Sequence, residues 1–161
     1  MVRRSKGKYY NEFLEIIKKS KKLKFLSLKI KSNETYRQSQ IFNVLSSIKN
    51  KYLEEFCLST YPSRFLPSLV FGYLDKCPNL KIIKLDKIKL NDWFLQKFKN
   101  SKLNSVKELH LTLYGSPVIL SLKSLLEIIK EKPNIQHVFL TLRFIKNHQV
   151  DQVCQVFEKT S

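Results

Sequence analysis

The chain has 161 residues, 43% of them hydrophobic and 27% charged, which suits one globular domain with its own core and excludes a disordered segment. No apolar run approaches the roughly 20 residues that cross a bilayer. The net charge of +17 is carried mainly by lysine, a hydrated point charge, whereas specific base or phosphate readout recruits the arginine fork.

Residues 1–8 are charged, and Glu12 and Glu15 interrupt the apolar residues that follow. A signal peptide does not tolerate this, so an intracellular protein, cytoplasmic or nuclear, is expected. Tyr10, Phe13, Leu14 and Ile17 stand at i, i+3, i+4 and i+7, the spacing of one helix face. The period then drops to two across residues 23–28, Leu-Lys-Phe-Leu-Ser-Leu. A second helix stripe, Ile41, Val44, Leu45 and Ile48, precedes the hexad 53–58. A third, Leu66, Leu69, Val70 and Tyr73, precedes 80–85. Phe94, Leu95 and Phe98 lead to the hexad 106–111, and Val118, Leu122, Leu125 and Ile129 lead to 135–140. Val150, Val153, Cys154 and Phe157 form a closing stripe.

The five hexads share the pattern L-x-x-L-x-L without gaps, and their starts lie 30, 27, 26 and 29 residues apart. Boundary residues agree: Ser116 before Pro117 reads as a helix cap, and Pro78 and Pro133 stop a helix and lead into a strand. Strands separated by helical crossovers form a parallel sheet, and a fixed repeat stacks such units side by side. The expected fold is therefore α/β, a leucine-rich-repeat solenoid. It has a curved parallel sheet of five strands inside and six helices outside, in one domain over residues 1–161.

The passages Pro78-Asn79-Leu80 and Pro133-Asn134-Ile135, each continuing into a hexad, resemble the ribonuclease-inhibitor type of leucine-rich repeat, including the repeats attached to F-box proteins. The resemblance runs from about Tyr10 to Phe157 and implies a protein-binding module. The chain departs from that pattern three residues after each hexad. Lys31, Tyr61, Ile88, Tyr114 and Arg143 replace the usual asparagine or cysteine. Residues 65–74, Phe-Leu-Pro-Ser-Leu-Val-Phe-Gly-Tyr-Leu, also look like the opening of an F-box, which implies the substrate-receptor part of a ubiquitin ligase as one alternative.

Residues between the hexad leucines point away from the core. Among them Phe25, Lys29, Glu55, Ile82, Lys84, Asp86, Glu108, His110, His137 and Phe139 are the candidate contacts for a protein partner. Apolar and aromatic groups standing among mixed charges fit a protein better than a phosphate groove. The basic residues concentrate elsewhere along the chain. Residues 1–31 hold eleven against Glu12 and Glu15, and residues 81–107 hold eight lysines against Asp86 and Asp92. Arg3, Arg4, Lys18, Lys19, Lys21, Lys22, Lys97, Lys99 and Lys102 are the candidates for contact with RNA phosphates or an acidic surface. That makes a basic accessory subunit of an RNA-containing assembly a second alternative.

Catalytic signals are missing. Gly7, Gly72 and Gly115 are the only glycines, so no phosphate-cradling loop exists, and there is no nucleophile elbow or H-E-x-x-H. Cys57, Cys77 and Cys154 are too dispersed for a zinc site or a disulfide framework. His110 and His137 read as equivalent positions of adjacent strands, where Cys57 or Glu108 could add a ligand, but no local ligand spacing supports a metal. A non-enzymatic adaptor is expected, with no cofactor, metal, membrane or small-molecule substrate.

Overall fold

A computed structural model describes residues 5–20, 22–30, 35–48, 50–60, 66–115 and 119–143, with backbone alone at 5–11, 35–37 and 119. Helices and strands alternate along the chain: α1 (Ser5–Lys19), β1 (Phe25–Lys29), α2 (Thr35–Ser47), β2 (Glu55–Ser59), α3 (Pro67–Leu74), β3 (Ile82–Ile88), α4 (Asp92–Asn100), β4 (Glu108–Tyr114), α5 (Ile119–Lys130) and β5 (His137–Arg143). The closing stripe at 150–157 and the Ser116-Pro117 cap lie outside the described residues.

The five strands form one parallel sheet in sequence order, β1-β2-β3-β4-β5, with the hexads in register. Each helix packs on the next, α1 on α2 through to α5. Strands pair about 4.8 Å apart while packed helices need about 8–10 Å, so the stack curves with its sheet inside. The result is the expected leucine-rich-repeat solenoid.

The core lies between the two layers. Leu26 and Leu28, Phe56 and Leu58, Ile83 and Leu85, and Leu109 and Leu111 are all buried from the sheet side, with Leu53, Leu80 and Val106 at the strand entrances. Phe42, Leu45, Val70, Tyr73, Phe94, Phe98, Leu122 and Leu125 meet them from the helices. Ring contacts extend this packing from repeat to repeat. Tyr73 meets Phe42 and Phe56 edge-on at 6.3 and 5.9 Å, and Phe71 meets Phe94 at 5.6 Å. Asn91 caps α4, its side-chain oxygen accepting from the Phe94 amide. Val70, Phe71, Tyr73 and Leu74 are all buried, so these four apolar side chains of the F-box-like segment are spent inside the solenoid.

Two local departures shape the outlet of the sheet. Pairing between β3 and β4 shifts between Asp86 and Ile88, and Lys87, at φ 62°, is the extra residue. The bulge re-phases the alternation, which is why Ile88, three residues after its hexad, is fully buried. Gly115 leaves β4 at φ 85°, a conformation that favours glycine.

The asparagines before the hexads tie neighbouring repeats together. Asn79 donates to the Lys51 carbonyl at 2.6 Å, and Asn134 donates to the Leu103 carbonyl at 3.1 Å. Lys132 Nζ donates to the carbonyls of Lys99 and Ser101, and Asp75 accepts from the Lys102 amide at 2.7 Å. These bonds satisfy loop and helix-end carbonyls that would otherwise depend on water.

Candidate functional site

In-register pairing sorts the outward side chains of the sheet into three rows that cross all five strands. The first is Phe25, Glu55, Ile82, Glu108 and His137. The second is Ser27, Cys57, Lys84, His110 and Phe139, and the third is Lys29, Ser59, Asp86, Thr112 and Thr141. All ten candidate contacts expected from the sequence therefore share one face. Phe25 and Phe139 stand at opposite ends of it, each 51% exposed, and Ile82 lies half-buried midway.

Polar side chains on this face are linked to one another. Lys84 Nζ lies 2.6 Å from Glu55 Oε1. That bond holds the Glu55 carboxyl below its ordinary range and lifts the Lys84 ammonium above its own. Cys57 Sγ donates to the same carboxylate at 3.5 Å; partial burial and the nearby Glu55 push its thiol up to about 11. Ser59 Oγ donates to Asp86 Oδ2 at 2.8 Å.

The two histidines correct the sequence expectation. They are not at equivalent positions, because His110 is the fifth residue of its hexad and His137 the third. His110 pairs with Phe139 and stacks on its ring, with centroids 4.3 Å apart and planes 14° from parallel. His137 pairs with Glu108 instead, while His110 Nε2 lies 3.5 Å from Glu108 Oε2. Among the described residues, no three His, Cys, Asp or Glu side chains are grouped as metal ligands.

Lysines that are neighbours in sequence separate in space. Of the 81–107 block, Lys84 is on the sheet face, Lys87 and Lys89 are at the outlet of β3, and Lys97 and Lys99 are in the last turn of α4. Lys81, Lys102 and Lys107 lie at the strand entrances, with Lys18, Lys19 and Lys22 at the same level beside β1. Arg3, Arg4 and Lys21 lie outside the described residues. Sequence blocks thus miss this edge, although its lysines recur at fixed offsets: Lys19, Lys76 and Lys102 four residues before a hexad, and Lys24, Lys81 and Lys107 second within one.

Comparison with known proteins gives fold and nothing finer. No protein family matches the sequence, and no curated protein resembles it. Among solved structures, the chain is similar to the tropomodulin C-terminal domain from Caenorhabditis elegans, with a TM-score of 0.60 at 12% identity over 94% of this chain and 92% of that one. At that identity the likeness supports the repeat architecture alone. Among the described residues, no helix is long and apolar enough to cross a membrane.

Proposed function

We propose that the protein is a non-enzymatic interaction module that receives a protein partner on the inner face of its sheet. One observation carries this reading. Phe25, Ile82 and Phe139 stand exposed or half-exposed on a face whose charges nearly cancel, in a chain of net +17. Glu55, Asp86 and Glu108 there oppose Lys29, Lys84 and Arg143. Protein interfaces place aromatic and apolar anchors at a charge-poor centre and polar groups at the rim. Repeat solenoids also present extended inner surfaces of this kind.

The anchors are held ready. The His110–Phe139 stack and the Glu55–Lys84 pair limit the side-chain freedom that binding would otherwise remove. Replacing Phe25, Ile82 and Phe139 together by serine and repeating an affinity pull-down from the native source tests the reading. Partner recovery falls at least tenfold while circular dichroism stays unchanged. Full recovery with the fold intact refutes it. The ubiquitin-ligase alternative receives no support from the buried F-box-like segment.

A further inference from the structure

The basic residues that look scattered in the sequence converge on one rim of the solenoid. Every helix runs antiparallel to the strands it packs on, so helix C-termini and strand N-termini share an edge. The segments 18–24, 51–54, 75–81, 99–107 and 130–136 line it in turn, and their described residues hold twelve lysines against Glu54, Asp75 and Glu131. By contrast, the sheet face carries three cations, Lys29, Lys84 and Arg143, against three acids. The charge is therefore sorted by surface and not spread evenly.

Much of this rim is engaged already, which limits what remains for a partner. Glu54 pairs with Lys24 at 3.4 Å and Lys81 at 2.8 Å, Glu131 with Lys99 at 3.6 Å, and Lys132 donates inward to carbonyls. Lys22, Lys51, Lys107 and Lys130 have no acidic partner among the described residues, Lys19 lies within electrostatic reach of Glu15 and Lys102 of Asp75, and all six are exposed. Five helix C-termini add a negative partial charge of about −0.5 each, roughly −2.5 in all. A formal excess of nine lysines outweighs that more than threefold, so the rim stays strongly positive.

We infer that this rim is a second interaction surface, distinct from the sheet face, which binds the sugar–phosphate backbone of a nucleic-acid duplex. Three features favour phosphate over an acidic protein. The rim offers lysine point charges, which meet phosphates without the bidentate geometry that specific readout needs, so its contacts fall on the backbone and not on base edges. Among the described residues of its segments, Tyr52 is the one largely exposed large hydrophobic side chain, so they show no cluster of apolar anchors such as a protein interface has. It runs about 19 Å along the strand entrances and about 32–40 Å along the helix ends, close to one duplex turn of about 34 Å.

The test compares two variants of equal net charge. One carries Lys19→Gln, Lys51→Gln, Lys102→Gln and Lys107→Gln on the rim. The other carries Lys29→Gln, Lys87→Gln, Lys89→Gln and Lys123→Gln away from it. Affinity for a 20-base-pair DNA duplex is measured by fluorescence anisotropy across a potassium chloride series. The rim variant is expected to lose at least about tenfold in affinity at 100 mM salt, and its log K against log salt slope to flatten by about 3–4. The other variant stays within about twofold of the unmodified protein. Equal losses in both variants overturn the proposal, since net charge alone would then explain binding, and so does unmodified protein that fails to bind. A polyglutamate peptide that displaces the duplex at equal charge concentration also overturns it, in favour of an acidic protein. Should the rim variant unfold, lysine acetylation of the unmodified protein with and without duplex gives the same answer. Protection at Lys102 and Lys107 but not at Lys29 and Lys89 supports the proposal; uniform protection refutes it.

Discussion

Ile82 and Ile83 are adjacent, chemically identical and part of one strand, yet they face opposite sides of the sheet. Ile83 is fully buried in the core, whereas Ile82 is half-buried on the inner face. Truncating each to alanine therefore measures the alternation itself, with strand propensity held constant. At Ile83 the change removes roughly three buried carbon groups at about 0.8 kcal/mol each and leaves a cavity in a close-packed interior. A loss of about 3–4 kcal/mol follows, within the 2–5 kcal/mol usual for such truncations. At Ile82 the same deletion uncovers a face that already meets water, and the loss stays below about 1 kcal/mol. For a chain of this size the two variants should melt about 10 °C and under about 4 °C below the unmodified protein. Circular dichroism at 222 nm with a thermal ramp reads both, and urea titration supplies the free energies. Equal losses, or a larger loss at Ile82, would refute the register on which the proposed face depends, because a one-residue slip exchanges the two faces.

Three further outcomes follow from the geometry. Asn79→Ala removes the bond to the Lys51 carbonyl and should cost about 0.5–1.5 kcal/mol in urea unfolding, whereas Asn79→Asp, which cannot donate, should match it; a neutral result at both contradicts the stitching role. The Glu55 carboxyl is lowered in the folded state by Lys84, so its contribution is present above the unfolded carboxylate range near pH 4.3 and is lost as pH falls through the lower folded value. Lys84→Met should flatten that acid limb by no more than about 1 kcal/mol, as expected of a partly exposed pair, and urea midpoints between pH 2 and 7 check it. The Cys57 and Cys77 thiols are pushed up to about 11, chiefly by burial, so both stay protonated at neutral pH. In a Cys154→Ser background, native protein at pH 7.5 should react with iodoacetamide at least tenfold more slowly than urea-unfolded protein; comparable rates would contradict the burial of Cys77 and the partial burial of Cys57.

The architecture was legible because the two periods alternate. Hexads such as 80–85 bury their first, fourth and sixth residues, and that pattern cannot be satisfied by a helix. Helix stripes were visible too, but α3 was underestimated. Phe71 and Leu74 are buried beside the expected Val70 and Tyr73 because this helix lies between α2 and α4 and is covered from both sides. The bulge at Lys87 had no sequence signal, since a lysine and not a glycine adopts the positive φ. The usual asparagine position after each hexad is empty here, while Asn79 and Asn134, one residue before theirs, bridge the repeats. All ten candidate contacts on the sheet face were read from alternation alone. The basic rim was not, because residues about 27 apart in sequence become neighbours only when the repeats stack.

The sheet face, and not the helix layer, is the surface assigned to the protein partner, and site-specific photo-crosslinking distinguishes the two directly. Phe139 on the sheet and Leu120 on α5 are both exposed, at 51% and 72%, and lie in neighbouring elements on opposite sides of the molecule. With p-benzoylphenylalanine at one position or the other, irradiation of the partner-bound protein should give a covalent adduct from position 139 and none from position 120. An adduct from position 120 alone would contradict the assignment.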